Sequence, residues 1–120
     1  NLCQTWNPTT GNWTLAASLP TAVAFHTQIS DRATGDAYIM GGFIGGFSNL
    51  QGSAQTIRHD GTIATVVSPI GSNPTLAQTP CPTGSQAATQ LHDGTFLVTG
   101  GFEWGGLIGA GSARNFLYVK

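Results

Sequence analysis

Three histidines, two cysteines, two tyrosines and five acidic residues are the main side chains of this chain suited to metal binding, proton transfer or nucleophilic attack. Their spacing joins few of them. Cys3 and Cys81 show no C-x-x-C pattern and no other zinc spacing; the same two residues permit one disulfide. His59 and His92 each precede Asp in an "HDG" triplet, where Asp favours the bend and the imidazole is expected in solvent. His26, in "AFHTQIS", reads as a structural group beside Thr27. Asp31, Asp36, Asp60 and Asp93 read as turn residues. No pair of carboxylates suits glycoside hydrolysis. There is no nucleophile elbow and no phosphate-cradling glycine loop ahead of a helix. The expectation is a chain with no metal, no cofactor and no catalytic residue.

Recognition chemistry has better material. The segments "FIGGFSNLQGS" (43–53) and "FEWGGLIGAGS" (102–112) are long and aromatic, and "SPIGSNPTLAQTPCPTG" (68–84) lies between them. Long aromatic loops on a rigid scaffold are common binding surfaces. Phe43, Phe47, Asn49, Phe102 and Trp104 are the candidate contacts, with rings that can stack on a sugar or anchor a protein partner. "NWT" at Asn12 is an N-glycosylation sequon.

What must position such loops is legible in the composition. Hydrophobic residues make up 40% of the 120 and charged residues only 8%, against roughly a quarter charged in ordinary domains. Glycine, Thr, Ser, Asn and Gln fill the difference, as expected for short strands and tight turns. A net charge of −1 with four basic residues leaves no electrostatic footprint for nucleic acid. No apolar run has the length needed to span a bilayer. Low charge, the sequon and the Thr/Ser/Gly richness point to an extracellular or cell-surface setting. A first residue other than Met fits a processed secreted chain or a piece of a longer one.

The chain repeats itself. A shift of 59 lays "GDAYIMGGF" (35–43) on "GTFLVTGGF" (94–102) and "GSAQ" (52–55) on "GSAR" (111–114). Upstream, a shift of 62 lays "PTAVAFHTQI" (20–29) on "PTGSQAATQL" (82–91), the difference falling in the turn. Alternating runs split by Asp/Gly turns predict hairpins, and no stretch carries a helical period with caps. The pattern predicts about nine strands in four-stranded antiparallel units. Residues 1–19 read as the outer strands of a preceding unit, 20–67 as a full unit, and 82–120 as a second unit lacking its last strand. Units of this size and period are the pattern of β-propeller blades. The double glycines 41–42 and 100–101 are expected to turn the backbone through positive φ where units approach closely. Trp13 is expected to lie in the gap between adjacent sheets.

The stretch 6–42 resembles a kelch repeat, through Trp6-Asn7-Pro8, Thr10 and Trp13, Leu19-Pro20, His26 and Gly41-Gly42. The second copy keeps Pro82, Asp93-Gly94 and Gly100-Gly101. The resemblance covers essentially the whole chain and implies a kelch-type propeller, incomplete at about two blades. Such a portion is either a segment of a longer chain or completed by other copies. It further implies a non-catalytic scaffold that binds a protein or glycan, with the aromatic loops on one rim. A self-assembling subunit of a ring or filament is an alternative. Copper-radical oxidases of the galactose oxidase type use similar propellers, so a fragment of such an enzyme is another. Within this stretch that carry-over fails: Cys81 lies too early, and Tyr38 and Tyr118 both lie in predicted strands.

Overall fold

The computed structural model describes residues 2–45, 51–69, 83–104, 109–111 and 114–120. These residues form fourteen β-strands and no helix, so the chain is all-β. Strands β1 (Cys3–Trp6) and β2 (Trp13–Ala16) make an antiparallel hairpin with Trp6 opposite Trp13. Next come β3 (Thr27–Ser30) and β4 (Ala37–Met40), then the two-residue β5 (Phe43–Ile44) and β6 (Gln51–Gly52), then β7 (Thr56–His59) and β8 (Ala64–Val67). Strands β3-β4-β7-β8 form a central four-stranded antiparallel sheet, and β5-β6 pair as a separate short ladder. The second unit contains β9 (Thr83–Gly84), β10 (Ala87–Gln90), β11 (Phe96–Thr99), β12 (Phe102–Trp104), β13 (Gly109–Gly111) and β14 (Asn115–Tyr118). Here β10-β11-β14 form a three-stranded sheet, and β13-β12-β9 a short accompanying one.

The hairpins fold locally for one recurring reason: an Asx side chain satisfies turn amides and a glycine supplies the left-handed residue. Asn7 Oδ1 accepts from the amides of Thr9 and Thr10, with Gly11 at φ +70°. Asp31 Oδ1 accepts from Ala33, with Gly35 at φ +80°. Asp60 Oδ1 accepts from Thr62 and Ile63, with Gly61 at φ +92°. Asp93 Oδ1 accepts from Thr95, with Gly94 at φ +87°.

The central and β10-β11-β14 sheets pack face to face, and the β1-β2 hairpin touches the other face of the central sheet through Cys3. On β4 the pleat sends Tyr38 and Met40 to one face and Ile39 to the other. Tyr38 and Met40 join Phe96, Val98 and Tyr118 in a buried cluster between the central and β10-β11-β14 sheets. Ile39 joins Ile57 and Leu19 in a second cluster, which Cys3 and Val23 cover. The central sheet is therefore buried on both sides. The β10-β11-β14 sheet is buried on one, and the β1-β2 hairpin is half-buried only at its Cys3–Ala16 end.

Strand pairing corrects the internal alignment. Thr27 pairs with Met40 and Ala87 with Thr99, so the first strands of the two units are related by 60 residues, not 62. The turns then differ by a single residue. Residue identities in the incoming segments favour 62, but main-chain pairing and the choice of buried face decide register. The strand count also exceeds nine, because the chain leaving each double glycine comes back within pairing distance of itself. Phe43 lies opposite Gly52 and Phe102 opposite Gly111, so both long aromatic loops begin and end as short ladders.

Candidate functional site

The corner at which the two units meet is built from the repeat. Gly41 and Gly42 have φ +63° and +95°, and Gly100 and Gly101 have +66° and +86°. A Cβ on Gly42 would lie 2.7 Å from the Ala24 carbonyl oxygen, and one on Gly101 would lie 2.9 Å from the Gln86 nitrogen. Glycine is needed here for space as well as conformation. Ala24 and Phe43 exchange backbone hydrogen bonds of 2.9 and 2.7 Å, and Gly84 pairs with Phe102 in the matching place. The following residues, Phe25 and Ser85, both have positive φ, +54° and +57°, unusual for residues other than glycine and more so for a bulky one. The Ser85 amide donates to the Phe25 carbonyl at 2.6 Å. The two strained corners are thus joined in tandem.

Among the predicted rim residues, Phe43 is buried at 9% exposure. Its ring makes an edge contact with Phe25 at 6.0 Å and packs close over Gly84, so it serves the junction between units. Phe102 is half exposed. Trp104 ends β12 opposite Gly109. Phe47 and Asn49 lie outside the described residues. The exposed ring that sequence reasoning missed is Phe25, 65% exposed. The signal for it lies in the 60-residue register, which matches it to Ser85 at the corner. Asn12 is exposed in the β1-β2 turn. Cys3 is half buried against the second cluster, and Cys81 lies outside the described residues.

His59, expected in solvent, and Asp31 and Asp36, read as turn residues, are all buried. His59 is buried; its Nδ1 accepts from the Gly61 amide at 2.9 Å, which leaves Nε2–H to donate to the Ala17 carbonyl at 2.8 Å. Asp36 is buried and takes a 2.6 Å hydrogen bond from Arg58 Nε. Asp31 is buried at the seam between units. It accepts from Lys120 Nζ at 2.6 Å, the Ala33 amide, Gln90 Nε2 at 2.9 Å and Thr34 Oγ1. The Lys120 hydrogen bond, then those from Ala33 and Gln90, hold its carboxyl well below the usual carboxylate range. Lys120 Nζ also lies 5.4 Å from the centre of the Phe96 ring. Tyr38 and Tyr118 lie in the buried cluster with ring centres 6.1 Å apart. Burial, reinforced by Tyr38, pushes the Tyr118 hydroxyl up to about 12.

Trp13 does not fill a gap between sheets. It is 64% exposed and tilted against Trp6 at 6.5 Å, on the hairpin face turned away from Cys3. Among the described residues, no three His, Cys, Asp or Glu side chains gather as a metal-binding group. No protein-family profile and no curated protein matches the chain.

Proposed function

We propose that the chain is a portion of a kelch-type β-propeller that acts outside the cell as a non-catalytic scaffold, recognising a protein or glycan through its aromatic rim. The observation that carries this reading is Phe25. An aromatic residue is held in the left-handed region with most of its ring in solvent, and strain of this kind is retained where a surface has work to do. The short ladders that open and close both long loops stand at equivalent places of the two units, and half-exposed Phe102 adds a second ring to the surface. The face-to-face packing of four- and three-stranded antiparallel sheets at a period near 60 residues supports the propeller reading. The sequon at exposed Asn12 and the low charge with abundant Thr, Ser and Gly support the extracellular one.

The test is a screen of the chain on arrays of immobilised glycans and of extracellular proteins, followed by Phe25→Gly and Trp104→Ala. Phe25→Gly removes the ring and suits the backbone, so stability should stay within about 1 kcal/mol. Affinity for a ligand found in the screen should fall by about tenfold or more. A screen without a ligand, or variants that bind as the wild type does, would overturn the proposal.

A further inference from the structure

The chain holds the tetrapeptide His-Asp-Gly-Thr twice, at 59–62 and at 92–95, and these contain its two Asp–Gly bonds. An Asp–Gly bond carries its own electrophile and nucleophile. The glycine nitrogen can attack the aspartyl side-chain carbon and close a five-membered succinimide, and glycine has no Cβ to hinder the approach. Each copy lies in a hairpin turn with its aspartate exposed, so the tetrapeptide itself does not separate them. Tertiary surroundings do.

In the β7-β8 turn the Gly61 amide donates to His59 Nδ1 at 2.9 Å, so the attacking nitrogen already shares its proton with an imidazole. His59 is buried, and its Nε2–H donates to the Ala17 carbonyl at 2.8 Å. That second bond fixes Nδ1 as the basic nitrogen and supports the imidazolium formed when the proton moves, as an orienting group does for a catalytic histidine. A Cβ on Gly61 would meet nothing within 4 Å, so the Asp60–Gly61 peptide has open space in which to turn. In the β10-β11 turn the Gly94 amide donates instead to the Leu91 carbonyl at 3.1 Å, an acceptor that takes up no proton near neutral pH. The Gly94 carbonyl accepts from Gln90 Nε2 at 3.4 Å, and a Cβ on Gly94 would lie 3.7 Å from Lys120 Nζ. This peptide is held against the seam between units. Hydrogen bonds keep both carboxyls below their usual range, those of the Ile63 and Thr62 amides at Asp60 and of the Thr95 hydroxyl and amide at Asp93. Both sites therefore react through a small protonated fraction, and that factor acts in the same direction on each.

We propose that Asp60–Gly61 is a self-modification site that isomerises to isoaspartate through a succinimide, with His59 as general base. The Gly61 nitrogen bonds to Asp60 Cγ as its proton passes to His59 Nδ1. The Cγ–OH bond of the protonated carboxyl then breaks, and the hydroxyl takes the proton back from the imidazolium and leaves as water. Water reopens the ring at either carbonyl, restoring aspartate or leaving the main chain running through the former side chain. One water is released and one taken up, so no co-reactant is needed. The isoaspartyl product loses the Asp60 Oδ1 bonds to the Thr62 and Ile63 amides, which close the turn ahead of β8 at the edge of the central sheet.

Peptide mapping by mass spectrometry with electron-transfer fragmentation, after several weeks near neutral pH and physiological temperature, tests this. Isoaspartate at Asp60 should exceed that at Asp93 by at least about tenfold. In guanidinium chloride both turns lose their folded partners, and the two rates should converge. His59→Asn leaves an oxygen acceptor for the Gly61 amide but no base, and should bring Asp60 down to the rate of Asp93. Circular dichroism checks the fold of this variant, and the guanidinium comparison decides the matter if it misfolds. Equal isoaspartate at the two positions of the folded chain, or none at either, would overturn the proposal. So would a preference for Asp60 that persists in guanidinium chloride, which would place its cause in the flanking sequence. A folded His59→Asn chain that isomerises at the wild-type rate would do the same. No ligand takes part, so this outcome and that of the rim experiment are read separately.

Discussion

Replacing Phe96 by Ala removes the ring around which the central and β10-β11-β14 sheets are joined. The side chain is fully buried. Its ring lies 5.0 Å from Tyr38, edge to face, and 6.2 Å from Tyr118, stacked. Loss of the buried ring forfeits about 2–3 kcal/mol of transfer free energy, and the remaining cavity adds about 1–2 kcal/mol, a total near 4 kcal/mol. Against the 5–15 kcal/mol typical of a domain, that is a large share. With a urea m-value of about 1.5 kcal/mol/M, the unfolding midpoint should fall by about 2–3 M. Far-UV circular dichroism is a better probe than indole fluorescence, since Trp6 and Trp13 are exposed in the native state. Leu117→Ala, on the opposite face of the same sheet and 65% exposed, is the control. It should cost less than about 0.5 kcal/mol. A Phe96→Ala variant within about 1 kcal/mol of the wild type would refute the packing argument, as would a Leu117→Ala variant that loses as much as Phe96→Ala.

Gly42→Ala and Gly61→Ala separate space from conformation. Both glycines have φ above +90°, but a Cβ on Gly42 meets Ala24 and His26 at 2.7–3.0 Å while one on Gly61 meets nothing within 4 Å. Gly61→Ala should cost about 1 kcal/mol and Gly42→Ala at least twice that in the same urea titration; equal costs would remove close approach as the reason for the double glycine. The Asp31 seam predicts acid sensitivity. Its carboxyl is depressed in the folded chain, so its contribution is present above the ordinary carboxylate pKa and is lost as pH falls below about 4. Thermal unfolding from pH 5 to 2 should show a steeper loss in the wild type than in Asp31→Asn; parallel curves would mean that the Lys120–Asp31 contact does not support folding.

Sequence alone determined the parts of this protein that rest on near neighbours. The Asx and Gly residues of each turn, the alternation along each strand and the double glycines act within a few residues, so hairpins, strand class and the repeat could be read directly. Contacts over long separations were decided by the tertiary structure. Asp31 meets Lys120 across 89 residues, and His59 finds the Ala17 carbonyl across 42; both look like ordinary turn residues until the sheets stack. Phe43 and Phe102 occupy one position of the repeat, yet only Phe43 has the next unit's Gly84 beneath it and is buried. Burial depends on what lies across a sheet face, and the local pattern carries no record of which sheet that is.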